Sequence, residues 1–196
     1  MATLSNPVQD DSALVRAARE GERGAFDALV RRHQDRVWRV CLRWLGDPET
    51  AREVAQDAFL AAYRALPGFR GDASFRTWLL HIAVNTCRNA HTARRRRAWG
   101  RHDMLGPDAD GHTLDVADTR PLPDARAVVA DGKERLRKAL AALEEDLRAV
   151  VLLRDMEDLD YDEIAQVLDV PRGTVKSRLH RARQLLAEAL GGGGTT

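Results

Sequence analysis

Two stretches of this 196-residue chain hold side chains whose types and spacing suit chemistry on a ligand. In the first, Asp162 to Ala189, a short helix, a tight break at Asp169-Val170-Pro171 and a longer basic helix are expected in succession. Ile164, Ala165 and Leu168 of the short helix would pack on Val175, Leu179 and Ala182 of the long one. Val175, Leu179, Ala182 and Leu186 follow one another at intervals of 4, 3 and 4, one stripe of a helix. That stripe leaves Lys176, Ser177, His180, Arg181 and Gln184 on the outer side. Cations, an imidazole, a hydroxyl and an amide in that position can meet base edges and phosphates in a major groove. Two helices joined by a turn of a few residues are a helix-turn-helix.

The second stretch is Phe69 to Asn89, FRGDASFRTWLLHIAVNTCRN. Aromatics, a glycine-containing loop, amides and arginines lie close together there. Such a mixture suits single-stranded DNA: a pocket accepts an unstacked base, amides read its edge and arginines hold phosphates. Phe75 and Trp78 also have the spacing of core residues, and Trp78 is expected in the core.

Other chemistries find no matching pattern. The histidines at 33, 81, 91, 102, 112 and 180 form no HExxH or comparable cluster, and there is no GxSxG elbow. Without a GxxxxGK[ST] motif no nucleotide hydrolysis is expected. Cys41 and Cys87 belong to no zinc-like cluster and fall at apolar helical positions, so both are expected to be reduced core thiols. No enzyme activity, cofactor or metal is expected.

The elements that must position these stretches are helical. Ala, Leu, Arg and Glu are plentiful and strand formers scarce, which predicts an all-α chain. Helices are expected from Asp11 or Ser12 to near Gly21, from Arg23 to Leu45, and, after an Asp47 cap and Pro48 at the first helical position, from Glu49 to Leu66. The last of these has a broad apolar face, Ala51, Val54, Ala55, Ala58, Phe59, Ala62, Tyr63 and Leu66. Its opposite face holds Glu53, Gln56, Asp57 and Arg64, with Leu60 projecting among them. A further helix starts near Phe75 and ends near Ala93. In the second half, helices are expected from Asp131 to Leu143, Asp146 to Met156, Tyr161 to Leu168 with an Asp160/Glu163 capping box, and Arg172 to Leu190.

Charge marks the join. Arg88 to His102 carries six Arg and no acid, Asp103 to Asp131 carries seven Asp against two Arg, and Arg172 to Arg183 carries four Arg and one Lys with no acid. Two basic blocks flanking an acidic stretch suit a polyanion gripped at two points. Between Trp99 and Ala130 periodicity vanishes and prolines recur, as in an interdomain linker. The expected organisation is a disordered N-terminus (1–11), a helical domain (12–98), a flexible acidic linker (99–130), a helix-turn-helix domain (131–190) and a flexible tail (191–196). No segment approaches the roughly 18 to 20 apolar residues of a membrane span. No membrane insertion and a reducing cytoplasm are expected.

At this point the two stretches acquire a family likeness. QDAFLAAYRALPGFRGDASFRTWLLHIAVNTCRN resembles region 2 of extracytoplasmic-function (ECF) sigma factors, a group of the sigma-70 family of bacterial RNA polymerase sigma factors. LRAVVLLRDMEDLDYDEIAQVLDVPRGTVKSRLHRARQLL resembles their region 4. The likeness implies two small helical domains and a protein that binds core RNA polymerase, directs it to −10 and −35 promoter elements and promotes strand opening. It implies polymerase contacts at Glu53, Gln56, Asp57, Leu60 and Arg64. It implies −10 contacts from Phe69, Arg70, Gly71, Asp72, Ser74 and Trp78 around the loop that receives a flipped base, and from Asn85, Arg88 and Asn89 on the helix beyond. It implies −35 contacts from Arg172, Thr174, Lys176, Ser177, His180, Arg181 and Arg183, and an anti-sigma factor as a further partner. Pro171 stands where many relatives have a serine cap, so the reader helix should be tethered differently. A stand-alone helix-turn-helix repressor or activator would explain residues 132–190 and leave the first domain without a role.

Overall fold

The computed structural model describes residues 11–102 and 125–191. Most of the expected N-terminal segment and acidic linker, and all but Gly191 of the tail, lie outside them. The described residues form eight α-helices and no strand: α1 (Ser12–Arg19), α2 (Arg23–Leu45), α3 (Pro48–Ala65), α4 (Phe75–His102), α5 (Ala125–Ala142), α6 (Glu145–Val151), α7 (Tyr161–Leu168) and α8 (Arg172–Gly191).

Local chemistry sets the helix ends. Gly46 closes α2 at φ +75°, a backbone conformation a Cβ disfavours. Asp47 then caps α3 by accepting the Thr50 N–H at 2.8 Å, with Pro48 just inside. Asp160 and Glu163 complete the expected capping box on α7. Pro171 has no side-chain acceptor to offer α8; its carbonyl takes the N–H groups of Thr174 at 2.9 Å and Val175 at 3.3 Å instead.

Three boundaries depart from the expectation. α4 continues past Ala93 to His102, because its run of arginines favours helix. α5 begins at Ala125, six residues before the expected start at Asp131. Residues 99–102 and 125–130, expected in the linker, are therefore helical. The helix expected over Asp146 to Met156 ends as α at Val151 and finishes in one wide π turn, Leu152–Met156.

The small residues Ala51, Ala55, Ala58 and Ala62 of α3 are buried and let α2 and α4 approach closely. Leu29, Val37, Cys41, Leu79, Leu80 and Val84 fill that first core. Cys41 and Cys87 are free buried thiols with sulfurs 3.6 Å apart. That contact, and then burial, push the Cys87 thiol well above its ordinary range. In the second half Val150, Leu152, Leu153, Ile164, Val167, Val175 and Leu179 are buried around the helix-turn-helix.

The two cores are continuous. α4 packs on α7, and α2 on α5. Arg148, 4% exposed, sits at the join. Its guanidinium donates to the carbonyls of Leu140 (2.8 Å), Ala141 (2.6 Å) and Leu143 (3.0 Å) at the end of α5, and to that of Trp44 (2.9 Å) in the last turn of α2. Helix C-termini leave carbonyls unbonded and carry partial negative charge, so one cation satisfies two of them. Arg148→Met should cost about 3–5 kcal/mol, the scale for stranding buried polar groups. The urea midpoint measures it, and a loss under about 1 kcal/mol would mean that the four bonds are replaceable by water.

Candidate nucleic-acid interface

Glu53, Gln56, Asp57, Leu60 and Arg64 all lie on the exposed side of α3. Leu60 is 52% exposed, and Tyr63 beside it, expected on the apolar face, is 50% exposed. Tyr63 makes an edge contact with Phe26, ring centroids 4.9 Å apart. The α3 surface is thus an apolar pair set among polar groups.

Between α3 and α4 the chain makes a short turn, Leu66–Gly68, and a loop in which Gly71 takes φ +82°. Arg70, Gly71 and Asp72 are exposed. Ser74 has a structural role, since its hydroxyl accepts the Thr77 N–H at 3.0 Å and holds the start of α4. Phe69, Phe75 and Trp78 form a three-ring cluster with centroids 4.9 to 6.2 Å apart. Phe75 is buried, while Phe69 and Trp78 are only partly covered, so Trp78 is at the core's margin. Phe69 and the loop border a cleft of about 880 Å3 that also takes in Arg16, Arg19, Arg32 and Arg36 from α1 and α2, and Arg76 from α4. Sequence reasoning missed the four arginines of α1 and α2, which are spread along two helices outside the stretch singled out for DNA. An aromatic shelf beside guanidinium groups can stack a base and hold a phosphate.

At the floor of this cleft His33 is 4% exposed. Its Nε2 lies 2.8 Å from Asp11 Oδ2, and Asp11 also accepts from Arg32 at 2.6 Å. Asp11, expected at the end of the N-terminal tail, is therefore held by two side chains. The network assigns the proton of neutral His33 to Nε2 and leaves Nδ1 as a buried lone pair without a partner. A second proton there would find no acceptor. Burial accordingly lowers the His33 pKa below 6.5, against the opposing pull of Asp11. Glu157 shows the mirror effect: burial raises its pKa, opposed by Arg36, whose Nε lies 2.6 Å from the carboxylate.

Along α4 three of the residues expected to meet DNA differ in setting. His81 Nδ1 donates to the Val167 carbonyl of α7 at 2.8 Å, and its Nε2 accepts from Asn85 Nδ2 at 3.0 Å. Arg88 reaches Asp146 of α6 at 2.9 Å. Asn89 is exposed. Arg88 therefore faces the second half of the chain, and Asn85 is linked to it through His81.

On α8, Val175, Leu179 and Ala182 are buried as expected. Lys176, Ser177, His180 and Arg181 share the exposed side. Ser177 donates to the Thr174 carbonyl at 3.0 Å. Arg172 pairs with Asp162 (3.3 Å) and Arg183 with Asp155 (2.5 Å), both near the surface. Arg178 bonds Asp146. A basic helix with a free outer side, packed on a short capped helix, is the geometry of a major-groove reader.

This architecture defines a class: a helical DNA-binding protein with a helix-turn-helix in one domain and, in the other, an aromatic, arginine-lined cleft that Glu163 of α7 also borders. The family follows from comparison with known proteins. Residues 29–97 match the family model for sigma-70 region 2, and residues 133–186 match that for sigma-70 region 4. The chain is 40% identical over 183 residues to the RNA polymerase sigma-H factor of Pseudomonas aeruginosa, covering 93% of this chain and 94% of that one. It is 35% identical over 181 residues to the ECF RNA polymerase sigma-E factor of Escherichia coli K12, covering 90% and 92%. Among solved structures, CnrH in complex with the cytosolic domain of CnrY superposes with a TM-score of 0.68 at 27% identity over 94% of this chain and 99% of that one. The sigma factor RpoE of Bartonella quintana, in complex with the anti-sigma factor NepR, shares the fold with a TM-score of 0.63 at 20% identity over 85% of this chain and 96% of that one. The chain belongs to the ECF group of the sigma-70 family and is a transcription initiation factor, not an enzyme. No helix among the described residues is long and apolar enough to cross a membrane.

His33 gives this site a pH dependence. A lowered folded pKa means stability that is present above the ordinary value of 6.5 and is lost as pH falls through the folded one. Between about pH 7 and pH 5 the wild type should lose more stability than His33→Gln, which keeps a donor for Asp11 but cannot take the second proton. Urea midpoints across that range measure the difference, and parallel profiles would assign the pH response to other groups.

Proposed function

We propose that three surfaces of this sigma factor divide the work of initiation. The α3 side chains Glu53, Gln56, Asp57, Leu60 and Arg64 dock on core RNA polymerase. The loop Phe69 to Ser74, Trp78, and Asn85, Arg88 and Asn89 of α4 capture unstacked bases of one strand near −10. The α8 helix enters the major groove at −35 through Lys176, Ser177, His180 and Arg181, with Arg172, Thr174 and Arg183 toward the backbone. Unstacking costs a few kcal/mol per step, and contacts made only with the extruded base offset it. Capture therefore shifts the duplex toward the open state without nucleotide hydrolysis.

The observation that carries this reading is the coexistence, in one chain, of an exposed reader helix and an aromatic cleft lined by arginines. A stand-alone repressor needs the first and has no use for the second. The division at 12–98 and 131–190 follows the two reading surfaces. The partner surfaces point to a cytoplasmic protein that meets polymerase and promoter DNA there. The complexes formed by the two structural relatives make an anti-sigma partner part of the proposal.

Leu60 tests the docking surface, because its side chain is half exposed and its replacement spares the core. Leu60→Asp should weaken binding to core polymerase by at least about tenfold, as loss of an apolar anchor does, with an unchanged urea midpoint. Wild-type holoenzyme formation would remove Leu60 from the interface.

A further inference from the structure

We infer that the second domain acts as an internal mimic of single-stranded DNA, its carboxylates taking the places of phosphates on the face of α4. This rests on the reading of α4 as the −10 strand surface and goes beyond it. Bonds from α4 to the second domain occur at Arg76, Thr77, His81, Arg88 and His91, which keep to one side of the helix. Four of the five end on carboxylates, Thr77 reaching the same Glu163 oxygen as Arg76 at 3.4 Å. Arg76 meets Glu163 at 2.8 Å, Arg88 meets Asp146 at 2.9 Å, and His91 meets Glu145 at 2.5 Å. The fifth, His81, ends on a carbonyl oxygen, that of Val167.

The stripe spans 15 residues, about 22 Å of helix at 1.5 Å per residue. A stacked strand, at about 3.4 Å per nucleotide, would place about six phosphates along it, and an unstacked, more extended strand fewer. Anionic or carbonyl oxygens thus occupy the stripe in place of a backbone. Asp146 does more: its other carboxylate oxygen bonds Arg178 of α8. One acid therefore holds a cation from each of the two DNA-reading helices. In this closed arrangement the α3 surface with Leu60 and the α4 residue Asn89 stay exposed while the α4 stripe is partly covered. Polymerase can dock on the closed protein, and strand capture requires the domains to part.

The test compares full-length wild type, Glu145→Gln/Asp146→Asn, and Asp146→Asn alone. A control, Asp27→Asn/Asp35→Asn, makes the same charge change at exposed positions of α2. The probe is a fluorescent pool of single-stranded oligonucleotides of random sequence, titrated at low salt. Surface ion pairs are individually weak, but here two pairs and the Arg178 bond are released together. The double variant should bind about five- to tenfold more tightly than wild type, Asp146→Asn should show part of that gain, and the control should stay within about twofold. Adding Arg88→Ala to the double variant should abolish the gain. If neither Asp146 variant gains over the control while Arg88→Ala still weakens binding, the mimic is wrong and the strand surface stands. If Arg88→Ala changes nothing in any background, the strand surface itself is wrong and the mimic falls with it.

Discussion

Arg148 is the constraint on which the arrangement of this molecule turns. A buried guanidinium with four carbonyl acceptors and no carboxylate bond is stable only where several helix ends meet. Here the last turns of α2 and α5 meet at it, one from each half of the chain. Burial lowers the Arg148 pKa, yet a guanidinium this basic keeps its charge. The cation must therefore be solvated by protein. The end of α5 by itself offers three of the acceptors, and Trp44 supplies the fourth from the other domain. Domain docking completes the shell.

The ion pairs that follow from this docking contribute differently. Those of α4 are a quarter to a third exposed, so each is worth little on its own. Their value is positional. The shared apolar core and Arg148 hold the halves together, and the polar stripe determines which face of α4 is covered. The ion pairs themselves open at small cost, because water replaces the partners of Arg76, Arg88 and His91. Parting the domains also exposes the shared apolar core and breaks the Arg148 bond to Trp44, and polymerase and DNA must outcompete those contacts. The pair of Arg36 with Glu157 is the exception, since its carboxylate is almost wholly enclosed while the guanidinium is a third exposed, and the raised Glu157 pKa records what burial costs the carboxylate.

Much of the fold is legible from local chemistry. Gly46, Asp47 and Pro48 mark a helix end and a helix start within three residues, and the Asp160/Glu163 box marks another. The α8 stripe of Val175, Leu179 and Ala182 predicts its buried side, and the free side then follows by elimination. The outer face of α3 is read the same way, except that Tyr63 turns half out of the core. The ends of α4 and α5 are harder to read because arginine-rich and alanine-rich runs are good helix formers that lack apolar periodicity. The π turn after Val151 has no signature of its own. What no local pattern could show is the pairing of α4 with α6 and α7: its partners lie 54 to 87 residues apart, and only the docked domains bring them within reach. Ser74 reads as a DNA contact from its place in the loop, and its capping bond to Thr77 gives the same hydroxyl a structural reason to be there.

With core polymerase, this chain should select and open promoters by itself. Reconstitution decides it: purified protein, core RNA polymerase free of any sigma factor, and fragmented genomic DNA from the source organism, with sequencing of transcript 5′ ends. Discrete start sites that require both proteins and share sequence near −10 and near −35 are expected. Transcripts that are absent, or that start at the same places without this chain, would contradict that role.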